Sequence, residues 1–112
     1  MILHTVVETP FYLRKAEGLF TKEEMAGIVN VVAKDPEAGD VMEGTGGFRK
    51  FRVGRGSKGK RGGARVIYLY RNDRLPVFLV QVYAKNEMDN LSKAERNALK
   101  KRADDIFESY RG

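Results

Sequence analysis

Between Thr21 and Asp35 the apolar residues Met25, Ile28, Val29 and Val32 recur at helical spacing, which predicts a helix with one buried stripe. Thr21 and Glu24 in front of the stripe form a capping-box pattern. Asp35-Pro36 ends it, because proline disfavours helical geometry in the residue before it. An earlier helix is expected after Thr9-Pro10, an N-cap followed by proline at the first helical position, with Gly18 at its end. Ile2 to Val7 reads as a short strand. Past residue 47 the period shortens. Phe48 to Val53 alternates, Arg65 to Tyr70 is almost wholly apolar and aromatic, and Val77 to Ala84 is apolar except for Gln81. These runs predict three strands, the last two joined by a turn at Asn72-Asp73. The nearly all-apolar middle run should be central in a sheet and covered on both faces. Helical spacing then returns in Leu99, Ala103, Ile106 and Tyr110, behind a second capping box at Ser92 and Glu95.

The predicted order is strand, two helices, three strands, helix. It implies an α+β fold: a small, mostly antiparallel sheet of about four strands packed against two N-terminal helices and a C-terminal helix. The 112 residues suit one domain, 1–112, with a single core and no internal repeat.

Charge changes the picture more than composition does. Between Gly44 and Asn72 there are nine Lys/Arg residues, no acid, and eight of the 12 glycines. Without those nine, 12 basic residues face 15 acidic ones, so the excess of +6 belongs to one segment and the remainder stands at −3. A localised positive field implies a localised polyanionic partner, with nucleic acid first among them. The cations alternate with Phe48, Phe51 and Val53, which places them on folded structure rather than on a solvated basic tail.

Several chemistries are set aside. The chain has no cysteine, hence no disulfide, thiolate nucleophile or Cys-based metal site. His4 is the single histidine, a structural residue at a strand start rather than the basis of a triad or metal cluster. The acids Glu37, Asp40, Glu43 and Asp89 show no recognisable ligand spacing. Gly54-Arg-Gly56-Ser-Lys-Gly59 satisfies GxGxxG, but the next predicted element is a strand where a dinucleotide site needs a helix. The same stretch approaches a P-loop, with Arg61 in place of the magnesium-binding Ser/Thr. No metal or cofactor is expected. No basic leader precedes a signal-length apolar run, and no stretch approaches a membrane span, so a cytoplasmic protein is expected.

Strand alternation sorts the cations. Lys50 and Arg52 point together, opposite Arg49, Phe51 and Val53. Gln81, Tyr83 and Lys85 share one parity, while Phe78, Val80, Val82 and Ala84 share the other and should pack on the helices. The polar parity then lies on an open face where Lys50, Arg52, Tyr83 and Lys85 converge with Arg65. The Gly54–Gly63 loop, with Arg55, Lys58, Lys60 and Arg61, flanks it as a basic clamp. Cations with a tyrosine on one sheet face suit single-stranded RNA, with phosphates on Lys/Arg and a base stacked on the ring. They also suit RNA cleavage, since the 2′-hydroxyl is a built-in nucleophile and the site need supply only positioning, proton transfer and charge neutralisation. A lysine crowded by cations is able to act as the base.

The blocks Gly44-Thr-Gly-Gly-Phe-Arg-Lys50, Gly59-Lys-Arg-Gly-Gly-Ala-Arg65-Val-Ile-Tyr68 and Val82-Tyr-Ala-Lys-Asn-Glu87 resemble the HigB-like branch of the RelE toxin superfamily. The likeness extends to Asp35-Pro-Glu-Ala-Gly-Asp40 and to Leu91-Ser-x-x-Glu-Arg96. It implies a type II toxin that acts as a ribosome-dependent mRNA endonuclease, without metal, and inhibits translation. It also implies a small helix-turn-helix antitoxin as partner, with operator DNA reached only through that complex. By motif position the catalytic set maps onto Lys50, Arg52, Arg65 and Lys85, with Tyr83 to orient a base. Arg49, Arg55, Lys58, Lys60, Arg61 and Tyr68 are the expected RNA- or ribosome-binding residues. Asn86 stands where some relatives carry a second arginine, and Leu91-Ser92 where some carry a tyrosine. A non-catalytic RNA- or ribosome-binding module, and a DNA-binding co-repressor acting beside an antitoxin, are the alternatives.

Overall fold

The computed structural model describes residues 3–54, 63–84 and 92–111. Its elements are β1 (Val6–Glu8), α1 (Pro10–Glu17), α2 (Lys22–Lys34), β2 (Asp40–Val41), β3 (Phe48–Val53), β4 (Ala64–Leu69), β5 (Val77–Ala84) and α3 (Lys93–Arg111). The helix starts are set by the expected caps. Thr9 Oγ1 accepts from Tyr12 N and donates to Leu79 O at 2.8 Å, which ties the head of α1 to β5. Thr21 and Glu24 exchange reciprocal bonds of 3.1 and 2.8 Å, and Ser92 and Glu95 exchange bonds of 3.1 and 3.0 Å. Each box satisfies backbone groups that the first helical turn leaves unpaired.

The sheet runs β1-β5-β4-β3-β2, with β1 parallel to β5 and every other pair antiparallel. It has five strands, one more than expected. The additional one, β2, is a two-residue edge strand whose side chains are exposed and carry no hydrophobic signal. The turn from β2 to β3 is closed by Met42 N donating to Phe48 O at 2.9 Å. Buried Thr45 fills its interior, donating to Met42 O at 2.6 Å. Gly47 in this turn has φ +120°, and a Cβ there would lie 2.9 Å from Tyr70 O.

Both faces of the sheet are covered, but unequally. On one, Tyr12, Ala16, Ile28 and Val32 of α1 and α2 pack on Val66, Tyr68, Leu79 and Val82. On the other, Ala103 and Phe107 of α3 pack on Phe48, Ile67, Leu69, Phe78 and Val80. Each such large side chain, fully buried, contributes about 1.5–3 kcal/mol. Phe107 meets Phe78 edge-to-face at 5.7 Å and carries the Arg71 guanidinium 4.4 Å above its ring. Phe107, not Tyr110, is the deep anchor of α3, since Tyr110 is 54% exposed. β4 sits in the middle with both faces buried, as its apolar run predicts.

The expected parity of β5 is corrected by a bulge. Ile67 pairs with Gln81 but Tyr68 pairs with Leu79, so β5 carries one extra residue at Val80. The extra residue shifts the alternation by one. Phe78 and Val80 therefore face α3, on the same side as Gln81 and Tyr83, whereas Val82 faces α1 and α2. The face expected to be open is thus half closed by α3. Among the described residues, Lys50, Arg52 and Arg65 at its end lie outside the α3 core, and Tyr83 packs against that core's edge.

Candidate functional site

The register brings Arg52, Arg65 and Tyr83 into one straight row across β3, β4 and β5. Lys50 lies one pleat along from Arg52, opposite Ile67. Neighbouring strands are about 4.8 Å apart, so the four side chains occupy a patch spanned by a single nucleotide or two. A cleft of about 280 Å³ opens here, lined by Asp40, Lys50, Phe51, Arg52 and Arg65. The expected convergence of Lys50, Arg52 and Arg65 is therefore present. Tyr83 closes the row, with the Lys15 ammonium 5.0 Å from its ring centroid.

Two expected binding residues have different work. Tyr68 is fully buried, and its hydroxyl donates to Pro36 O at 2.7 Å and accepts from Gly39 N at 2.8 Å. A ring sealed in the core and bonded at its one polar atom is removed from any RNA surface. Burial, the first cause, raises its pKa, with the Gly39 bond and Arg49 opposing, so the hydroxyl stays a donor at neutral pH. Arg49 points to the α2 side, where Nη1 donates to Gly39 O at 2.8 Å and Glu37 O at 3.3 Å, and Nη2 lies 3.6 Å from the Glu37 carboxylate. Its guanidinium is a backbone fastener. Arg55, Lys58, Lys60, Arg61 and Lys85 lie outside the described residues.

Sequence reasoning missed Asp40 and Lys15. Asp40 stands opposite Lys50 in the β2–β3 register. Its only sequence signal was the Gly-Asp step before the glycine turn, which without the pairing looks like loop composition. Lys15 is a helix residue whose approach to Tyr83 depends wholly on tertiary packing. His4 lies apart, 6.0 Å edge-on from Tyr70, in the wall of a second cavity of about 380 Å³ that shares no residue with the cleft. Among the described residues no group of three His, Cys, Asp or Glu could hold a metal ion. From its described residues the cleft offers positive charge, an aromatic edge and one carboxylate. That combination suits a phosphodiester, whose charge is neutralised while its ester oxygens stay within reach of proton-carrying groups.

The family model described as the RelE toxin of the RelE / RelB toxin-antitoxin system matches residues 14–111. The fold is similar to that of the E. coli toxin RelE, solved in the free state as a double arginine-to-alanine mutant. The TM-score is 0.57 at 19% identity, covering 94% of this chain and 98% of that one. No helix among the described residues is long and apolar enough to cross a membrane.

Proposed function

Because the chain belongs to the RelE toxin family, and so is the toxin of a type II toxin–antitoxin system with an antitoxin as partner, we propose that it is an endoribonuclease that cuts mRNA on the ribosome and thereby stops translation. The observation that carries this reading is the cleft lined by Lys50, Arg52 and Arg65, with Tyr83 next in the row across the sheet. Arg65 and Arg52 hold the scissile phosphate, and their fixed charges stabilise the dianionic phosphorane as it forms. The RNA's own 2′-oxygen attacks phosphorus in line with the departing 5′-oxygen. Lys50 serves the proton transfers, and Tyr83 stacks on or orients a neighbouring base. The antitoxin on this reading is a small helix-turn-helix protein, and the toxin meets operator DNA only in its company.

The test is to induce the gene and map new 5′ ends in mRNA. Codon-phased cuts confined to translated regions are expected, together with growth arrest that the antitoxin relieves. Arg65→Ala should abolish both cuts and arrest, by roughly 10²–10³-fold in rate as for removal of one charge-stabilising donor, while still binding the antitoxin. Growth arrest with no new RNA ends would identify a non-catalytic ribosome binder and overturn the proposal.

A further inference from the structure

We propose that Asp40 is a catalytic residue of this cleft: its carboxylate takes the proton of the attacking 2′-hydroxyl while Lys50, its partner across the strands, protonates the leaving 5′-oxygen. The proposal rests on the ribonuclease reading above.

The chemistry of the lining residues comes first. Attack by a 2′-hydroxyl needs an acceptor for its proton. Guanidinium and ammonium groups carry donors only, and a phenylalanine carries neither. Among the described residues lining the cleft, Asp40 alone has side-chain acceptor oxygens. Placement comes second. Residues directly opposite in an antiparallel pair present their side chains on the same face with Cβ atoms about 5 Å apart, and Asp40 is opposite Lys50. Among the described residues no ion pair of 4.0 Å or less joins the two heads.

Third is the way the segment is held. β2 is two residues long, and both Asp40 and Val41 are exposed, so it adds almost nothing to either core. Yet the chain leading into it is fastened by four side-chain bonds. Tyr68 grips Pro36 O and Gly39 N, and Arg49 grips Glu37 O and Gly39 O. Gly39 is packed so tightly that a Cβ would meet Tyr68 Cε1 at 2.8 Å and Lys50 O at 2.9 Å. These bonds anchor the buried Pro36 and Gly39 to the sheet and so fix the start of the exposed β2, whose first residue is Asp40.

The step balances without a metal or other co-reactant. The 2′-O–H proton passes to Asp40, the 2′-O–P bond forms, and the P–O5′ bond breaks as O5′ takes a proton from Lys50. The products are a 2′,3′-cyclic phosphate and a 5′-hydroxyl. Proton return from the Asp40 acid to the Lys50 amine through water restores the starting state.

The experiment measures single-turnover cleavage of mRNA on programmed ribosomes against pH, for wild type, Asp40→Asn, Asp40→Glu and Lys50→Ala. A second substrate carries sulfur in place of the scissile 5′-oxygen, a leaving group that needs no proton. Asp40→Asn should slow cleavage by about 10²-fold or more, the scale of general-base loss, and remove the acid limb of the profile. Its melting temperature and ribosome binding should be unchanged, and Asp40→Glu should recover part of the rate. The sulfur substrate should rescue Lys50→Ala but not Asp40→Asn. Asp40→Asn cleaving within threefold of wild type with an unchanged acid limb, or sulfur rescue of Asp40→Asn, overturns the assignment and leaves the ribonuclease reading intact. Absence of cleavage by wild type overturns the ribonuclease reading, and this proposal with it.

Discussion

Tyr68→Phe deletes one oxygen from the middle of the protein, and its effect follows from what that oxygen holds. The ring stays in place, since its edge-to-face contact with Phe51 at 5.7 Å does not involve the hydroxyl. Two buried backbone groups lose their partner: the Gly39 N–H, 2.8 Å away, and the Pro36 carbonyl, 2.7 Å away. An unpaired buried polar group costs about 1–3 kcal/mol, so two together, with some local relaxation, should cost about 2–4 kcal/mol. At about 2.1 cal/mol/K per residue, the unfolding entropy of 112 residues makes 1 kcal/mol worth about 4 °C. The expected fall in Tm is therefore about 8–16 °C, read by circular dichroism and checked by urea titration. Because burial keeps the Tyr68 hydroxyl protonated, the loss should not vary between pH 6 and 9. Tyr12→Phe is the matched control. Its hydroxyl is also buried but has no hydrogen-bond partner among the described residues. The same deletion there should leave stability unchanged or raise it. A Tm fall below about 3 °C for Tyr68→Phe, or equal falls for the two variants, would refute the view that Tyr68 fastens the 36–39 segment.

Arg49→Ala should lower Tm by several degrees, through loss of two backbone bonds worth about 1 kcal/mol each. Exposed Arg52→Ala should shift Tm by under about 2 °C yet abolish toxicity, so thermal melts paired with growth curves separate fastener from site. Gly47→Ala forces a Cβ to 2.9 Å from Tyr70 O at φ +120°, and should cost more than about 1–3 kcal/mol in urea titrations, since strain and clash add. In the alkaline range the Tyr70 hydroxyl, donating to Asp73 at 2.7 Å, is pushed up to about 12, chiefly by that bond. The folded state thus holds this proton more tightly than the unfolded chain, whose tyrosines titrate near pH ~10. The associated stability is complete below that pH and is lost as pH rises towards 12. Tyr70→Phe should flatten the fall in urea midpoint between pH 10 and 12.

The elements with local causes were legible in the sequence. Caps at Thr9, Thr21 and Ser92 and the stop at Asp35-Pro36 are short-range chemistry, and each helix begins or ends where they predict. The row of Lys50, Arg52 and Arg65 was half legible: parity puts Lys50 with Arg52, but only pairing puts Arg65 between Arg52 and Tyr83. What failed was everything decided by tertiary contact. Arg49 and Tyr68 are the same residue types as true RNA contacts, and nothing in their neighbours reveals that their polar atoms are spent on residues 36–39. Asp40 was passed over because its strand is defined by its partner rather than by any pattern of its own. The face of Phe78 was misread because strict alternation allows no extra residue, and Val80 is one.

That extra residue gives the sheet two phases on a single strand. Before it, odd-numbered side chains of β5 lie under α1 and α2; beyond it, even-numbered ones do. The strand's first half is in step with the scaffold and its second half with the cleft, and Val80 is the point where the count is reset. Deleting this one valine would set Leu79 and Gln81 side by side opposite Tyr68 and Ile67, closing the bulge into a regular ladder that keeps Tyr83 on the cleft face and Val82 beneath α1 and α2. The extra residue thus adds one more apolar side chain to the core under α3 without changing which side chains the cleft receives.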